Sequence, residues 1–288
     1  MESFISFPKL GIHFNIDSVA FEILGKEIYW YGIIIAFGFM LAVCVGYILA
    51  NKYGMNPDTI TDIVIFGAPI AIVCARIYYV IFEWEHYSLN PQDIIKIWNG
   101  GIAIYGAVIG AVLVAVIYCR VKKENFGLLS DIGAIGLTIG QSIGRWGNFV
   151  NQEAFGGNTN LPWGMTGDKI SSYLYSLQAE GIKVNPNLPV HPTFLYESLW
   201  NLTFLVFALL FFKKRKFDGQ IFFLYLISYG VGRFIIEGLR TDSLYIGVFR
   251  VSQIVALICI IAGVAFIVHN FRKSNRKLTL PVDKNSVN

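Results

Sequence analysis

Residues 28–50 read IYWYGIIIAFGFMLAVCVGYILA, an apolar stretch that carries no charged side chain. A helix of this length rises about 35 Å, which is enough to cross the hydrocarbon core of a bilayer at about 30 Å. Six further apolar runs follow, at roughly 60–82, 101–119, 129–149, 193–212, 219–238 and 248–269. Only 15% of the residues are charged, against about 25% in soluble proteins. We therefore predict an all-α polytopic membrane protein, with seven transmembrane helices in a single membrane-embedded domain over residues 1–288.

The lysines and arginines of the loops predict the orientation. If the N-terminus lies outside, the inner segments hold most of them: Lys52, Arg120, Lys122, Lys123, Lys213, Lys214, Arg215, Lys216, Arg272, Lys273, Arg276, Lys277 and Lys284. The positive-inside rule then places the N-terminus outside and the C-terminus in the cytoplasm, with residues 270–288 as a basic cytoplasmic tail. The connection at 150–192 becomes external, and we expect an ordered loop or small head there, with a short amphipathic stretch near 168–181.

The end of the fourth apolar run is unusually polar. Residues 140–157 read GQSIGRWGNFVNQEAFGG, and Arg145 is costly at this depth unless an anionic or hydrogen-bonding group meets it. Helical spacing predicts one shared face for Gln141, Arg145, Asn148 and Gln152. Glycines near that face would let a partner helix or a ligand approach the backbone closely.

A second basic face is predicted at the end of the sixth run. Arg233, Glu237 and Arg240 are spaced i, i+4 and i+7, and Glu237 can pair with either arginine. Two such faces converging on one cavity would bind an anion, and the paired donors of arginine suit phosphate. The same three residues also fit a structural ion pair that holds spans together, and the sequence leaves both interpretations open.

Other residues also permit two interpretations. Tyr29, Trp30 and Tyr31 fit an aromatic belt at the membrane interface, and His191 fits a hydrogen-bonding group at the start of the fifth span. Arg76, in the second run, could serve structure or function. The sequence holds no HExxH motif, no carboxylate cluster with ligand spacing, and no phosphate-binding loop. We therefore expect neither a metal nor a nucleotide cofactor.

The polar stretches together resemble one family of membrane enzymes, the bacterial prolipoprotein diacylglyceryl transferases. Residues 144–156, GRWGNFVNQEAFG, match the family signature Gly-Arg-x-Gly-Asn-Phe-x-Asn-x-Glu-x-x-Gly at every fixed position. Shorter matches occur in chain order: WYG (30–32), NGG (99–101), HPTFLYE (191–197), and YGVGRFIIEGLR followed by TDS (229–243). The matches run from the first span to the last.

The resemblance implies an activity, a location and partners. Members reside in the bacterial plasma (inner) membrane and transfer the diacylglyceryl group of phosphatidylglycerol to the lipobox cysteine of a prolipoprotein signal peptide. The product carries a thioether, and glycerol 1-phosphate leaves. The partners implied are therefore phosphatidylglycerol, the signal peptide and the bilayer, with no nucleic acid and no cofactor.

The resemblance also assigns site residues by motif. Those expected to bind phosphatidylglycerol are Tyr31, Arg145, Asn148, Asn151, Glu153, Gly156, Tyr229, Arg233, Glu237 and Arg240. Our hypothesis is that Arg145 and Arg233 act catalytically by holding the phosphate. Arg240 assists them, the asparagines orient the glycerol or headgroup, and the glutamates position an arginine and the loop.

The proton acceptor is less clearly indicated. Many members carry a histidine after the Asn-Gly-Gly element, where this chain has GGIAIYGA and aligns Tyr105. A tyrosine, with a reference pKa of about 10, is a poor base at neutral pH. The base could be His191, Tyr105 or neither, and Tyr105 would then hydrogen-bond the lipid or the thiol.

Two other function classes share some of these features. An anion or lipid transporter also places arginines in its spans, but it should show broken helices near the midplane and an internal repeat, and neither is evident. A non-catalytic phospholipid-binding scaffold would share the arginines, and only an assay of glycerol transfer separates it from an enzyme.

Overall fold

The computed structural model describes residues 2–241, 245–247 and 249–279. Seven helices within these ranges are long and apolar enough to cross a membrane. They are α1 (Trp30–Lys52), α2 (Asp58–Phe82), α4 (Ile104–Lys122), α5 (Phe126–Asn151), α7 (Thr193–Phe211), α8 (Gln220–Glu237) and α9 (Val251–Thr279). The all-α polytopic class and the seven spans are therefore confirmed. The orientation and the single domain stay predictions.

Shorter elements connect the spans. Helix α3 (Trp84–Leu89) follows α2, and helix α6 (Asp168–Ala179) lies in the long connection between α5 and α7. Helix α6 confirms the amphipathic stretch expected near 168–181, because Ile170, Leu174 and Leu177 form the buried face of this helix. Asp242, Ser243 and the tail from residue 280 onward lie outside the described residues.

Contacts divide the chain into two compact units, of which one comprises Val43–Gly133. Within it, α2 and α4 pack with their backbones close together. A Cβ atom at Gly106 would lie 2.4 Å from the carbonyl oxygen of Cys74, so only glycine fits there.

Arg76 organises the turn that leads into α4. Its guanidinium is buried and donates hydrogen bonds to the carbonyl oxygens of Ile94 (2.8 Å), Gly100 (2.7 Å), Gly101 (2.7 Å) and Asp93 (2.6 Å). These four backbone acceptors explain how an arginine is accommodated in the second apolar run, because a buried charge needs hydrogen-bonding partners. They support the structural interpretation of Arg76.

The other unit, Met1–Ala42 with Ala134–Asn288, contains a small sheet that the apolar pattern did not predict. Strand β1 (Glu2–Phe7) pairs antiparallel with β2 (Ile12–Asp17), and β5 (Thr166–Gly167) pairs with the other edge of β1. Ile5 faces Gly167 in that register. The sheet is therefore closed by residues from two distant parts of the sequence.

A hydrophobic core beneath this sheet fixes the polar end of α5. Its buried members are Ile5, Phe7, Phe149, Val150, Phe155, Met165, Ile170, Leu174, Leu177, Val190 and Phe194. They come from β1, the end of α5, α6, the start of α7 and the connecting segments between α5 and α7. Since burying one large apolar side chain stabilises by about 1.5–3 kcal/mol, this cluster holds the segments around residues 140–157 in place.

Two short strand pairs precede the first and the last of the long helices. Strand β3 (Val19–Ile23) pairs antiparallel with β4 (Lys26–Tyr29), which runs directly into α1. Strand β6 (Tyr245–Ile246) pairs with β7 (Phe249–Arg250) just before α9. Helices α8 and α9 pack closely, because a Cβ at Gly230 would lie 2.6 Å from the carbonyl oxygen of Ala256.

Candidate active site

Three arginines surround one buried carboxylate. Glu197, in the second turn of α7, is 7% exposed. Its Oε2 lies 2.6 Å from Nη2 of Arg145, and its Oε1 lies 3.3 Å from Nη1 of Arg233 and 3.8 Å from Nη1 of Arg240. Arg145 of the first expected basic face and Arg233 of the second therefore meet at Glu197. Helix α8 ends at Glu237, so Arg240 reaches Glu197 from the segment after the helix and not from the expected helix face.

A second carboxylate balances part of this charge. Glu237 is almost fully buried and its Oε2 lies 2.8 Å from Nη2 of Arg233, one helical turn away. The expected pairing of Glu237 with an arginine is therefore confirmed. Three guanidinium groups against two carboxylates leave one positive charge in excess within this group. Buried charges have a low effective dielectric constant around them, and this strengthens the attraction of the excess positive charge for an anion.

The predicted amides extend the cluster toward the end of α5. Arg145 donates from Nη1 to Oδ1 of Asn148 at 3.2 Å. Oε1 of Glu153 accepts hydrogen bonds from the side-chain amides of Asn148 (2.9 Å) and Asn151 (3.3 Å). The structure thus brings the four polar residues of the signature into one chain of hydrogen bonds.

Gln152 corrects one sequence prediction. Helix α5 ends at Asn151, and Gln152 takes a positive φ of 56°. Its side chain therefore turns to the small sheet, where Nε2 donates to Oγ of Ser3 (2.5 Å) and Oε1 accepts from the amide of Lys169 (3.0 Å). The prediction that Gln152 shares a helix face with Arg145 is wrong, because helical spacing applies only while the helix continues.

Two glycines of the signature are required by close packing. A Cβ at Gly147 would lie 2.6 Å from Cδ2 of Tyr31, so the ring of Tyr31 packs directly on α5. A Cβ at Gly156 would lie 2.8 Å from Cβ of His191 and 2.8 Å from the carbonyl oxygen of Leu239. The backbone amide of Gly156 also donates to the carbonyl oxygen of His191 at 2.9 Å. Gly156 therefore joins the loops that precede α7 and follow α8.

The two candidate bases, His191 and Tyr105, each have neighbours within their own unit. Nδ1 of His191 is 3.2 Å from the hydroxyl of Tyr196, and burial lowers the pKa of the His191 imidazole below its ordinary value. The imidazole is therefore neutral at pH 7. Tyr105 belongs to the unit Val43–Gly133, in the first turn of α4, where its ring centroid is 6.3 Å from that of Tyr78.

A small polar cavity adjoins the arginine cluster. It has a volume of about 20 Å³, which is room for about one water molecule. Its lining comes from α5, α7 and α8: Gln141, Arg145, Glu197, Trp200, Asn201, Tyr229, Gly232, Arg233 and Ile236. Tyr229, expected in the site, therefore lies beside both principal arginines.

A larger and almost wholly apolar groove, of about 380 Å³, lies on another side of α5. It is lined by Ile33, Ile34, Phe37, Ser142, Ile143, Trp146, Ser198, Leu199 and Leu202. Its polar groups are already engaged with one another, since Trp146 donates to Ser198 at 3.2 Å and Ser198 donates to the carbonyl oxygen of Ser142 at 2.8 Å. The groove offers hydrocarbon contact rather than charge.

Glu197 is a residue of the candidate site to which the sequence analysis assigned no role. The signal was present, because a carboxylate stands within the fifth apolar run, six residues after His191. What the sequence could not supply was its partners, since they come from α5, α8 and the segment after α8.

Known proteins are similar to this chain over most of its length. The sequence matches the family profile described as prolipoprotein diacylglyceryl transferase over residues 18–269. Three similar proteins carry the name phosphatidylglycerol–prolipoprotein diacylglyceryl transferase. The one from Finegoldia magna is 49% identical, covering 86% of this chain and 93% of its own. Those from Clostridioides difficile and Oceanobacillus iheyensis are 41% and 45% identical, covering 91% and 92% of this chain and 99% and 92% of their own.

Proposed function

This chain belongs to the prolipoprotein diacylglyceryl transferase family, and from that membership we propose its reaction in detail. It is a transferase that moves the diacylglyceryl group of phosphatidylglycerol onto the cysteine thiol of a prolipoprotein. The acceptor is the lipobox cysteine of the signal peptide, and the products are a thioether and glycerol 1-phosphate. The enzyme works as a multi-pass protein of the bacterial plasma (inner) membrane, where both substrates are present.

The arginine cluster around Glu197 is the observation that carries this proposal. Arg145 and Arg233 approach one carboxylate from two helices, at 2.6 Å and 3.3 Å. A phosphate diester offers the same kind of charged oxygens to the same donors, so it can bind where these guanidinium groups converge. Arg240, at 3.8 Å from Glu197, adds a third positive charge.

The chemistry follows from that placement. The cysteine sulfur forms a bond to the carbon of the diacylglyceryl group that carries the phosphate. The bond from that carbon to the phosphate oxygen breaks at the same time. The electron pair leaves with the glycerol phosphate, whose negative charge increases in the transition state. Guanidinium groups already in position stabilise that charge without reorganisation, each hydrogen bond contributing about 1.5–3 kcal/mol.

The neighbouring polar groups have supporting roles. Asn148 and Asn151 share Glu153, which keeps their amides oriented toward the glycerol of the lipid. Glu237 holds the guanidinium of Arg233 at 2.8 Å. Tyr31 and Tyr229 flank the lipid, and the backbone of Gly156 holds the loops at the end of the site.

The proton of the thiol must be removed, because the thiolate is the nucleophile. His191 and Tyr105 are the two candidate acceptors in this proposal. The pKa of His191 is lowered by burial, so its imidazole is neutral at pH 7 and able to accept a proton. Separate pH–rate profiles of His191→Gln and Tyr105→Phe distinguish them, because only the variant of the acceptor loses the fall in rate toward low pH that protonation of the base causes.

A transfer assay with purified full-length protein tests the proposal. Labelled phosphatidylglycerol and a lipobox peptide are supplied, and thioether formation is measured with release of glycerol 1-phosphate. We expect Arg145→Ala and Arg233→Ala each to lower kcat/KM by at least about 100-fold, since each removes a charge-assisted contact to the phosphate. Arg145→Lys should be intermediate, because lysine keeps the charge but not the paired donors.

Arg215→Ala provides the matched control. Arg215 also pairs with a carboxylate, Asp218 at 3.1 Å, but at the connection between α7 and α8 that lies at the opposite end of α8 from Arg233. The Arg215→Ala variant should transfer the diacylglyceryl group at nearly the normal rate. Near-normal transfer by Arg145→Ala would refute the phosphate assignment. Lipid binding by the normal protein without any transfer would instead favour a non-catalytic scaffold.

A further inference from the structure

One buried atom beside the arginine cluster has no protein partner. The side-chain Nε2 of Gln141 donates to the hydroxyl of Tyr225 at 2.8 Å. Its Oε1 is also buried, yet no group among the described residues donates a hydrogen bond to it. An unsatisfied buried acceptor is unfavourable, and native proteins contain few of them. Gln141 also lines the small cavity with Arg145 and Arg233. That cavity has room for one hydroxyl-sized group, so a single hydroxyl of a bound ligand can reach into it and supply the missing donor.

We propose that Gln141 binds a hydroxyl group of the glycerol headgroup of phosphatidylglycerol, and that this contact makes the enzyme selective for that lipid. The inference rests on the proposed function, because it assumes that the lipid phosphate lies at Arg145 and Arg233. It adds a specificity-determining residue that the signature motif does not include.

The donor that Oε1 needs identifies the part of the lipid. The diacyl half of phosphatidylglycerol offers ester oxygens and hydrocarbon, and none of these donates a hydrogen bond. The phosphate diester is ionised and only accepts. The two hydroxyls of the headgroup are therefore the only donors in the molecule. A hydroxyl both donates and accepts. It can therefore pair with the side-chain amide of Gln141 whether the oxygen or the nitrogen of that amide faces the cavity.

The spacing of the helix fits this assignment. Gln141 precedes Arg145 by one turn on the same face of α5, a rise of about 6 Å along the axis. A glycerol headgroup extends from its phosphate over a similar distance. The hydroxyl of Tyr225, on α8, accepts a hydrogen bond from Nε2 of Gln141 and so fixes the orientation of the amide. Oε1 is therefore held in position as an acceptor before the lipid binds.

This contact also selects which bond breaks. The phosphate carries two ester links, one to the headgroup and one to the diacylglycerol. When Gln141 holds the headgroup on its side of the arginines, the link to the diacylglycerol lies on the opposite side of the phosphate. The thiol then meets the carbon of the diacylglyceryl group, as the reaction requires.

A comparison of two lipids tests the proposal in the purified full-length enzyme. Phosphatidylpropanol has the same phosphate and acyl chains as phosphatidylglycerol but lacks both headgroup hydroxyls. We expect the normal enzyme to prefer phosphatidylglycerol by about 10- to 100-fold in kcat/KM, since the analogue leaves Gln141 unpaired. Gln141→Leu should lose that preference by slowing transfer from phosphatidylglycerol, while transfer from phosphatidylpropanol stays within about twofold.

Thr138→Val is the matched control on the same helix. The Thr138 hydroxyl donates to the carbonyl oxygen of Ala134, so its loss removes one polar group without touching the cavity. This variant should keep the normal preference. If Gln141→Leu does not fold, Gln141→Met replaces it, because methionine has nearly the same shape without the amide.

Each result decides a different point. Equal use of the two lipids by the normal enzyme overturns the inference while leaving the proposed function intact. So does a Gln141→Leu variant that keeps the preference or slows both lipids equally, because Oε1 is then met by a water molecule or by the peptide thiol. Absence of transfer from phosphatidylglycerol by the normal enzyme refutes the proposed function itself.

Discussion

Replacing Glu197 with glutamine tests the centre of the site. The substitution keeps the shape of the side chain but removes the charge that three guanidinium groups share, at 2.6, 3.3 and 3.8 Å. A pair of unit charges about 4 Å apart attracts by about 4 kcal/mol at an effective dielectric constant of about 20. Desolvation offsets much of this, and removing one partner of a buried ion pair costs about 3–5 kcal/mol net.

The lipid should rescue this variant, because its phosphate supplies the negative charge that Glu197→Gln lacks. At about 2–4 °C per kcal/mol for a large domain, a cost of about 3–5 kcal/mol should make the lipid-free variant unfold about 6–20 °C below the normal protein. Added phosphatidylglycerol should then raise Tm more in the variant than in the normal protein. Diacylglycerol, which has no phosphate, should not.

Thermal unfolding in detergent measures these differences. Glu180→Gln is the control, since Glu180 is exposed just after α6 and should leave Tm unchanged. The reasoning fails if Glu197→Gln unfolds within about 2 °C of the normal protein. It also fails if phosphatidylglycerol stabilises the variant less than it stabilises the normal protein, because the arginines would then not be short of a negative charge.

Three further changes follow from single contacts. Gly147→Ala forces the Tyr31 ring to move and should cost about 1–3 kcal/mol of stability and slow transfer, whereas Gly140→Ala, which meets nothing within 4 Å, should not. Arg76→Lys cannot serve four carbonyl oxygens, so hydrogen exchange should quicken at residues 93–101 while the rest of the chain changes less. The lowered pKa of His191 means that the unfolded chain binds the proton more readily. Stability should therefore fall as the pH drops below about 6.5, and less so in His191→Gln.

Much of the fold could be predicted because one signal dominated. Each span is marked by an apolar run of the right length. The observed helices begin and end within a few residues of those runs, except that α9 continues beyond residue 269 to Thr279. The pairing of Arg233 with Glu237 followed from helical spacing alone. Within a continuous helix the spacing fixes which side chains are neighbours.

What could not be predicted depends on contacts between distant segments. The strands of residues 2–29 have no apolar run to announce them, and β1 is defined by its pairing with β5 as much as by its own sequence. Gln152 was misplaced because the end of α5 is set by a positive φ rather than by a visible breaker. Glu197 was overlooked because an isolated carboxylate in a span does not reveal which cations will surround it.

The pairing of β1 with β5 has a consequence for biogenesis. Ser3 and Gln152 touch although they are 149 positions apart, and four long helices are synthesised between β1 and β5. One edge of β1 therefore stays unpaired while α1, α2, α4 and α5 are synthesised and inserted into the membrane. Loop closure over such a distance slows assembly. A nascent chain that ends between Arg145 and Thr166 already contains the arginine but lacks β5, the strand that secures its surroundings. Factors that shield exposed strand edges during insertion should therefore affect the yield of this enzyme more than its final stability.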